Sequence, residues 1–445
     1  MVTLETLPTE ILHQIISYLC DHCQGRIYLR GLTQTSLVPL SLVSKACRRL
    51  RDIAQPILFH FFFHHRAGYQ DRLVSFLHTL TSRPDLARAV SILQFHSYGE
   101  NLTEKDRALV ETCVANVGLP SLAPEWHIDG RQRQILMEVA IACCPNLEAL
   151  SFGTSPDWTT DIFLSLSISL PTRIIFKRLY HLSVGSARQD VDSSGTVPYD
   201  QVAALLRAAP NLRQLYLSGI RSLSSSGTGF PNLDNLKILN LGSGVYSPFF
   251  LHFTLAACPR LQSFSLHLEL SDYMGASITD IWIALQQVKD TLQEITVEVN
   301  RDIPFQLQAH DHRLSSLQQF TALRTLEISS CIWYGIHQTW TQQKGYYNMD
   351  QFVAELLPTT LEKLVIRNTG PPVPAGLMAL ALCVPRGAYP WLKTVEVVIS
   401  DDFSADEGSE SEWEDMVTTL REEFLKVGVS FSMDFYVNPG FMLFD

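Results

Sequence analysis

The chain has 445 residues, of which 46% are hydrophobic and 18% are charged, and this balance favours a large folded core over disorder. Its net charge of −11 argues against broad binding to nucleic acid or acidic membranes, which reward a basic surface. We find no apolar run of membrane-spanning length and no signal peptide at the first residues. The number of cysteines is nine, which is odd, and with no signal peptide this indicates reduced thiols. We therefore expect the protein in the cytoplasm, the nucleus or both.

The first predicted element is a short amphipathic helix near the N-terminus. Pro8 is placed in its first turn, where a missing N–H costs nothing, and Glu10 suits the positive end of the helix dipole. Apolar residues then recur at helical spacing and form a single stripe. This stripe consists of Ile11, Leu12, Ile15, Ile16 and Leu19.

A second amphipathic helix is predicted further along, because apolar residues recur there in alternating steps of three and four. Its stripe consists of Leu40, Val43, Cys47, Leu50, Ala54 and Ile57. Two helices this short are too small to close a core of their own. We therefore expect both stripes to be buried against the rest of the chain or against another protein.

The residues of these two helices resemble an F-box. The resemblance rests on the stretches Leu7–Leu12, Ile15–Leu19 and Leu42–Leu50, and it covers roughly Thr6 to Phe59. F-box helices dock on the Skp adaptor of a cullin-RING ubiquitin ligase, so the resemblance implies that adaptor and a cullin ligase as partners. The residues expected to form or support the adaptor contact are Leu7, Pro8, Ile11, Leu12, Ile15, Ile16, Leu19, Leu40, Leu42, Val43 and Leu50.

One departure from the family pattern lies between the two conserved stretches. The family usually joins them by a few residues, whereas here Cys20 to Pro39 intervene. A surface loop tolerates such an insertion because the entropy of loop closure grows slowly with length. The insertion could still alter or weaken docking, and an ordinary helical hairpin packed on its own C-terminal domain is the alternative.

A repeated pattern fills the remainder of the chain. An apolar residue is followed by two variable residues, an apolar residue, one variable residue and a third apolar residue. Copies begin 24 to 38 residues apart, a period typical of repeat proteins. Nine copies begin at Leu147, Leu179, Leu212, Leu236, Leu261, Leu292, Leu323, Leu361 and Leu392, after a degenerate copy at Val90, Leu93 and Phe95.

Each copy predicts a short strand followed by a helix. The last two apolar residues alternate, as a strand requires, and the leading one turns the chain into it. Proline ends the preceding helix in several copies, as in Pro145-Asn146-Leu147 and Pro210-Asn211-Leu212. Helices are predicted at 132–143, 199–208, 278–288 and 349–357. This alternation resembles the irregular leucine-rich repeat common downstream of F-boxes, although no strict asparagine ladder is present.

The predicted fold class is α/β. A helical F-box at residues 1–55 precedes an irregular leucine-rich-repeat solenoid of parallel strands and helices at residues 56–445. A buried strand at Pro56–His64 and a helix at Gln70–Leu80 join them without a long linker. Residues 401–415 hold eight acidic and no basic residues, which predicts a solvated loop before a capping helix at 413–427 and strand at 429–436. An ordinary α/β domain is the alternative.

Motifs for catalysis or cofactor binding are missing. The sequence has no phosphate loop, dinucleotide fingerprint or nucleophile elbow, so we expect no enzyme and no cofactor. Cys20-Asp21-His22-Cys23 has metal-ligand spacing, but zinc would need two further ligands, and Cys143-Cys144 supplies no second pair. His60 and His64 could meet on one face of the predicted strand, with no third ligand. We therefore predict core thiols and no metal.

Substrate recognition is assigned to the strands. In a curved array the variable strand positions line the concave face, and here they are polar and mixed in charge. The candidate residues on these strands are Tyr216, Asn240, His267, Glu298, Glu327 and Arg367. The segment 331–350 adds Trp333, Tyr334 and Trp340, and tryptophan and tyrosine dominate binding hot spots. Packing of these rings on the array is an equally open interpretation.

These features predict a substrate-recognition subunit of a Skp–cullin–F-box ubiquitin ligase. The F-box would bind the adaptor, and the repeats would bind the protein to be ubiquitinated. The alternatives are a non-ligase repeat scaffold for protein–protein interaction and a divergent hydrolase hidden in the array. Neither nucleic acid nor a membrane is an expected partner, and the sequence does not define the cargo, its phosphorylation or the oligomeric state.

Overall fold

The computed structural model describes residues 6–24, 38–64, 70–95, 104–117, 131–154, 175–186, 197–221, 231–242, 244–268, 277–299, 316–329, 332, 356–367, 373–400 and 410–436. The chain divides into two compact units, Met1–Leu212 and Arg213–Asp445. Within the described ranges, no helix combines the length and the apolar character needed to cross a bilayer. The division of the chain at residues 55 and 56 stays a prediction.

Three helices begin the first unit: α1 (Thr9–Ser17), α2 (Val38–Ala46) and α3 (Arg48–Leu58). Pro8 is the N-cap of α1 and not part of its first turn. The second predicted helix is in fact two, because Cys47 takes extended backbone (φ −156°, ψ 168°). Its Sγ accepts a hydrogen bond of 3.5 Å from the Leu50 N–H, which caps the start of α3.

The three helices enclose a hydrophobic core. The sequence predicted two helices that were too small to close a core of their own, and the division of the second one into α2 and α3 supplies a further apolar wall. The core residues are Leu12, Ile16, Cys20, Leu40, Ile53, Ala54 and Ile57, with Leu7, Leu19, Val43, Leu50 and Leu58 packed against them.

The remainder of the first unit alternates helices with parallel strands. Strands β1 (Phe61–His64), β2 (Ile92–Phe95), β3 (Ala149–Thr154) and β4 (His181–Ser186) pair in that order. The other elements are α4 (Gln70–Ser82), α5 (Pro84–Ala89), α6 (Glu104–Val117), α7 (Arg131–Cys143), β5 (Val197–Pro198) and α8 (Tyr199–Ala208). The strand predicted at 56–64 is wrong over its first half, because α3 continues through Pro56 to Leu58.

The second unit continues the same alternation. Its strands are β6 (Gln214–Leu217), β7 (Ile220–Arg221), β8 (Ile238–Leu241), β9 (Gly244–Val245), β10 (Ser263–Leu268), β11 (Glu294–Val299), β12 (Thr325–Ser329), β13 (Lys363–Arg367), β14 (Thr394–Ser400) and β15 (Ser430–Tyr436). Strands β6, β8 and β10 to β15 pair in parallel in that order, and β7 pairs with β9. Within the described ranges, its α-helices are α9 (Pro248–Ala256), α10 (Ile278–Leu285), α11 (Val373–Cys383) and α12 (Glu410–Lys426).

The repeated apolar triplets explain this regularity. All nine triplets are buried, as is the degenerate copy of Val90, Leu93 and Phe95. In most repeats the backbone carbonyl just before one strand accepts hydrogen bonds from two successive N–H groups at the start of the next strand. The carbonyl of Arg324, for example, accepts from Glu362 and Lys363 at 2.8 and 2.9 Å. Parallel strands that alternate with helices therefore confirm the predicted α/β class.

The asparagine of the Pro-Asn-Leu phrase links neighbouring repeats. Nδ2 of Asn146 donates a hydrogen bond of 2.8 Å to the carbonyl of Arg88, and Nδ2 of Asn211 donates one of the same length to the carbonyl of Lys177. Each acceptor lies two residues before the leading apolar residue of the preceding copy. These two links agree with the sequence analysis, which found no strict asparagine ladder.

The predicted acidic loop needs a correction at its end. Helix α12 begins at Glu410, so residues 410–415 are helical and the loop prediction is wrong there. Residues 401–409 lie outside the described ranges, as does most of the helix predicted at 349–357. Strand β15 follows α12 and pairs with β14 at the position expected for the terminal strand.

Candidate functional site

The structure sorts the eleven predicted adaptor-contact residues by their exposure. Leu12, Ile16 and Leu40 are buried in the helical core. Pro8, Ile11, Ile15 and Leu42 are exposed, and the remaining four, Leu7, Leu19, Val43 and Leu50, are half-buried against the core. The single stripe predicted on α1 is therefore two adjacent faces, one turned inward and one turned to solvent.

Two rows of exposed apolar side chains result. On α1 the exposed fractions are 43% for Ile11 and 42% for Ile15, and the C-cap residue Tyr18 is 66% exposed. On α2 they are 56% for Val38 and 64% for Leu42. The spacing of four and three residues aligns each row along its helix. Sequence reasoning missed Tyr18 and Val38, although their helical spacing from Ile15 and Leu42 could have found them. Aligned exposed apolar residues are typical of a protein-binding surface.

Two side-chain hydrogen bonds fix the helices that carry these exposed residues to α3. The Arg49 guanidinium donates to the carbonyl of Leu7 at 2.7 Å, which ties the entry of α1 to α3. Nε of Arg51 donates to the carbonyl of Ser44 at 3.2 Å, which ties the end of α2 to the same helix. The exposed residues therefore project from helices whose ends are anchored.

The predicted substrate-binding residues on the strands are all half-buried. Tyr216 and Asn240 lie opposite each other on β6 and β8. His267 lies opposite Glu298 on β10 and β11. The structure thus pairs these candidates across neighbouring strands, whereas Trp333, Tyr334 and Trp340 lie outside the described ranges.

Four of these side chains form one charged group, which we call the acid–arginine cluster: His267, Glu298, Glu327 and Arg367. Nδ1 of His267 lies 2.8 Å from Oε2 of Glu298. Nε of Arg367 lies 2.9 Å from Oε1 of Glu298 and also contacts the Glu327 carboxylate. One guanidinium therefore bridges two acids that come from different repeats.

The pKa values of the two acids in this cluster are shifted in opposite directions. Burial opposes ionisation of Glu298, but the hydrogen bond from His267 and the nearby charges of His267 and Arg367 outweigh it, so its pKa is lowered. Burial and the neighbouring charge of Glu298 raise the pKa of Glu327 despite its contact with Arg367. The cluster is therefore an ion-pair network in which the negative charge of Glu298 opposes ionisation of Glu327.

A shallow charged cleft, which sequence reasoning did not single out, lies at the starts of strands β11 to β14. Its volume is about 290 Å³, and its lining consists of Gln293, Glu294, Arg324, Thr325, Glu362, Lys363, Lys393 and Thr394. Arg324 and Lys393 contact the Glu362 carboxylate at 3.2 and 2.6 Å. Its lining is half-buried or exposed, unlike the enclosed apolar pockets that hold small molecules.

A cysteine–histidine cluster lies where the helices meet the first strands. The ligand atoms of Cys20, His22, Cys23 and His60 all lie within 4.8 Å of one another. Cys23 Sγ is 3.3 Å from His60 Nδ1, and Oε2 of Glu148 is 3.5 Å from His22 Nε2. Sequence reasoning did not bring these four side chains together, because it assigned His60 to a strand, whereas His60 belongs to the turn after α3.

The thiols of this cluster differ in acidity. Burial opposes ionisation of Cys20, but the neighbouring rings of His22 and His60 outweigh it and lower the pKa of its thiol. Burial and the neighbouring charge of Cys20 raise the pKa of Cys23. The interaction with the nearby Cys20 thiolate, helped by the charge of Glu148, raises the pKa of His22 despite its burial.

Comparison with known proteins identifies the helical module. Residues 4–65 match the F-box-like family model, a range that contains α1, α2 and α3. The N-terminal module is therefore an F-box-like domain, and such a domain supports binding to an Skp-type adaptor. The matched range includes the insertion after α1.

A curated relative matches a short part of the chain. The similarity is 37% identity over 60 residues to a sugar fermentation stimulation protein homolog of Chromohalobacter salexigens, and it covers 14% of this chain and 22% of the relative. The chain thus spans about a fifth of the length of that relative. So small a shared part leaves the activity of the whole protein to be proposed on other grounds.

Proposed function

We propose that the protein is a substrate-recognition subunit of a Skp–cullin–F-box ubiquitin ligase. The observation that carries this proposal is the pair of exposed apolar rows on the F-box-like domain. Ile11, Ile15 and the C-cap residue Tyr18 form the row along α1, and Val38 and Leu42 form the row on α2. Covering a fully exposed large apolar side chain contributes about 1.5–3 kcal/mol before the entropy cost of association. These five side chains are about half exposed, so each contributes about half of that when a partner covers it.

The residues predicted for adaptor binding then divide into two roles. Ile11, Ile15 and Leu42 contact the adaptor directly, joined by Tyr18 and Val38. Leu12, Ile16 and Leu40 act from inside, because their packing sets the spacing of the helices that carry the contact residues. The half-buried residues Leu7, Leu19, Val43 and Leu50 lie between the two roles.

In this proposal, the region of parallel strands is a leucine-rich-repeat-like solenoid that binds the cargo. Its support is the buried apolar triplet in every copy and the asparagine links between repeats. Tyr216, Asn240 and the acid–arginine cluster form the half-buried polar face that contacts a protein substrate, and Trp333, Tyr334 and Trp340 add aromatic anchors. The receptor supplies proximity, while a conjugating enzyme supplies the chemistry, in the cytoplasm or nucleus.

Co-purification from cells tests this proposal. Tagged full-length protein is compared with the surface variant Ile15→Asp/Leu42→Asp and with His13→Asp, which changes an exposed residue on another face of α1. We expect the Skp adaptor and a cullin with the wild type and with His13→Asp, and neither with the double variant. Cargo proteins should remain bound in all three.

Two results would contradict the ligase proposal. One is the absence of adaptor and cullin from the wild-type sample while other proteins co-purify, which would favour a non-ligase scaffold. The other is retention of the adaptor by a correctly folded Ile15→Asp/Leu42→Asp protein.

A further inference from the structure

The cysteine–histidine cluster plays no part in the function proposed above, and its geometry suits a metal ion. In a tetrahedral zinc site, bonds of about 2.3 Å to sulfur and about 2.1 Å to nitrogen place the ligand atoms roughly 3.3–3.8 Å apart. The Cys23 Sγ to His60 Nδ1 distance of 3.3 Å already meets this requirement. All four ligand atoms lie within 4.8 Å, so small side-chain rotations complete the tetrahedron.

A second observation points to a ligand at the same place. Nδ1 of His22 is buried and, among the described residues, has no hydrogen-bond partner. Its other ring nitrogen, Nε2, lies 3.5 Å from Oε2 of Glu148. A metal-binding histidine commonly has a carboxylate on the ring nitrogen that does not bind the metal, because that contact orients the ring and raises its basicity. His22 has this arrangement before any metal is added.

We propose that Cys20, His22, Cys23 and His60 bind one zinc ion, with Glu148 orienting His22. Two thiolates and two imidazoles are the ligand set that Zn²⁺ prefers, whereas Ca²⁺ and Mg²⁺ require oxygen ligands. Four protein ligands leave no open position for a reactant, so the site is structural. The proposal does not depend on the ligase function.

The zinc ion would join three separate parts of the first unit. Cys20, His22 and Cys23 follow α1, His60 follows α3, and Glu148 immediately precedes β3. The carbonyl of His60 also accepts hydrogen bonds from the N–H groups of Ser91 and Ile92, at the start of β2. The metal would therefore fasten the beginning of the inserted segment, residues 20–39, to the end of α3, while contacts of His22 and His60 reach residues at the starts of β3 and β2.

Metal analysis of the purified full-length protein tests the proposal. We expect about one zinc ion per chain after preparation without chelators, measured by inductively coupled plasma mass spectrometry. Cys23→Ser should lower the zinc content several-fold, and because Cys23 is exposed this change leaves the helical core intact. His22→Gln tests a ligand of the other type. Cys47→Ser is the matched control, since serine keeps the cap of α3 and lies outside the cluster.

Cobalt substitution gives a readout that is independent of zinc content. Co²⁺ added to metal-free protein should produce the visible absorption of a tetrahedral thiolate site in the wild type and in Cys47→Ser, but not in Cys23→Ser. A chelator should lower the thermal unfolding temperature of the wild type and leave that of Cys23→Ser unchanged. Zinc far below one per chain, full zinc content in both ligand variants, or a Cys20–Cys23 disulfide in the freshly purified protein would overturn the proposal.

Discussion

Arg49 donates a hydrogen bond of 2.7 Å from its guanidinium to the carbonyl oxygen of Leu7, forty-two positions earlier in the chain. This contact places the entry of α1 against α3, and a second bond of 3.4 Å reaches the Thr9 hydroxyl. The leucine–proline opening of the F-box-like domain is therefore held by a side chain from its third helix. The two exposed apolar rows owe part of their fixed geometry to this contact.

Removing the Arg49 guanidinium should loosen the helical domain. We expect Arg49→Met to lower the free energy of unfolding by about 1 kcal/mol, the usual contribution of a hydrogen bond of this kind. Urea unfolding followed by circular dichroism measures the change. Arg48→Met, at the exposed neighbouring position, is the control and should lie within about 0.5 kcal/mol of the wild type. Equal effects of the two variants would show that the Arg49 contact contributes nothing.

Neighbouring isoleucines on α1 should behave in opposite ways. Ile16 is 3% exposed and Ile15 is 42% exposed. Ile16→Ala should therefore cost about 2–5 kcal/mol of stability, because it leaves a cavity in the core. Ile15→Ala should change stability by less than about 0.5 kcal/mol and should instead weaken adaptor binding. Chemical unfolding and a binding assay on the same two samples measure both effects, and a stability loss for Ile15→Ala that matches Ile16→Ala would refute the assigned faces.

The helical domain could be recognised from the sequence, but the buried and exposed faces of its helices could not be distinguished. Helical periodicity groups Ile11 and Ile15 with Leu12 and Ile16, because one broad stripe contains all four. Which half is buried depends on where α3 packs, and that is a tertiary contact. The break at Cys47 was hidden for a similar reason, since the apolar period continues across it and only the extended backbone of Cys47 separates α2 from α3.

The strands were more predictable than the cysteine–histidine cluster. The apolar triplet pattern recurs along the chain, so the burial of Leu150 or Leu326 could be inferred from the equivalent positions in other copies. The structure confirms this burial. His60 had no such copies to guide its assignment. Its approach to Cys23 depends on α3 ending at Leu58, two residues beyond the point where the sequence suggested a strand.

Asparagine links between repeats should contribute to the stability of the first unit. We expect Asn211→Ala to cost about 1 kcal/mol, because the carbonyl of Lys177 loses its 2.8 Å partner. Asn232→Ala is the matched control: Asn232 occupies the same position in its own Pro-Asn-Leu phrase, but its amide contacts Asp234 two residues away. Thermal unfolding compares the two, and a larger loss for Asn232→Ala would contradict the link.

The acid–arginine cluster should give two opposite pH dependences. The pKa of Glu298 is lowered from the ordinary value of 4.5, so its stabilising effect is present above that value and is lost as the pH falls below it. Glu298→Gln should therefore be less stable than the wild type at neutral pH, by about 1 kcal/mol, and the difference should shrink on acidification.

Glu327 should show the reverse trend. Its pKa is raised from 4.5, so its favourable contribution is full below that value and is lost as the pH rises through the raised pKa. Glu327→Gln, which mimics the protonated acid, should gain stability relative to the wild type as the pH rises. Urea unfolding of both variants and the wild type across the acidic to neutral range measures the two trends. Parallel trends for the two variants would rule out the assigned roles.

Adaptor binding is the most direct test of the whole account. Purified full-length protein is titrated with a purified Skp adaptor by isothermal titration calorimetry, alongside Ile15→Asp/Leu42→Asp and the His13→Asp control. The account predicts binding by the wild type and by His13→Asp, and no measurable binding by the double variant, with all three unfolding at the same temperature. A wild-type protein that does not bind the adaptor, or a double variant that binds as tightly as the wild type, would contradict it.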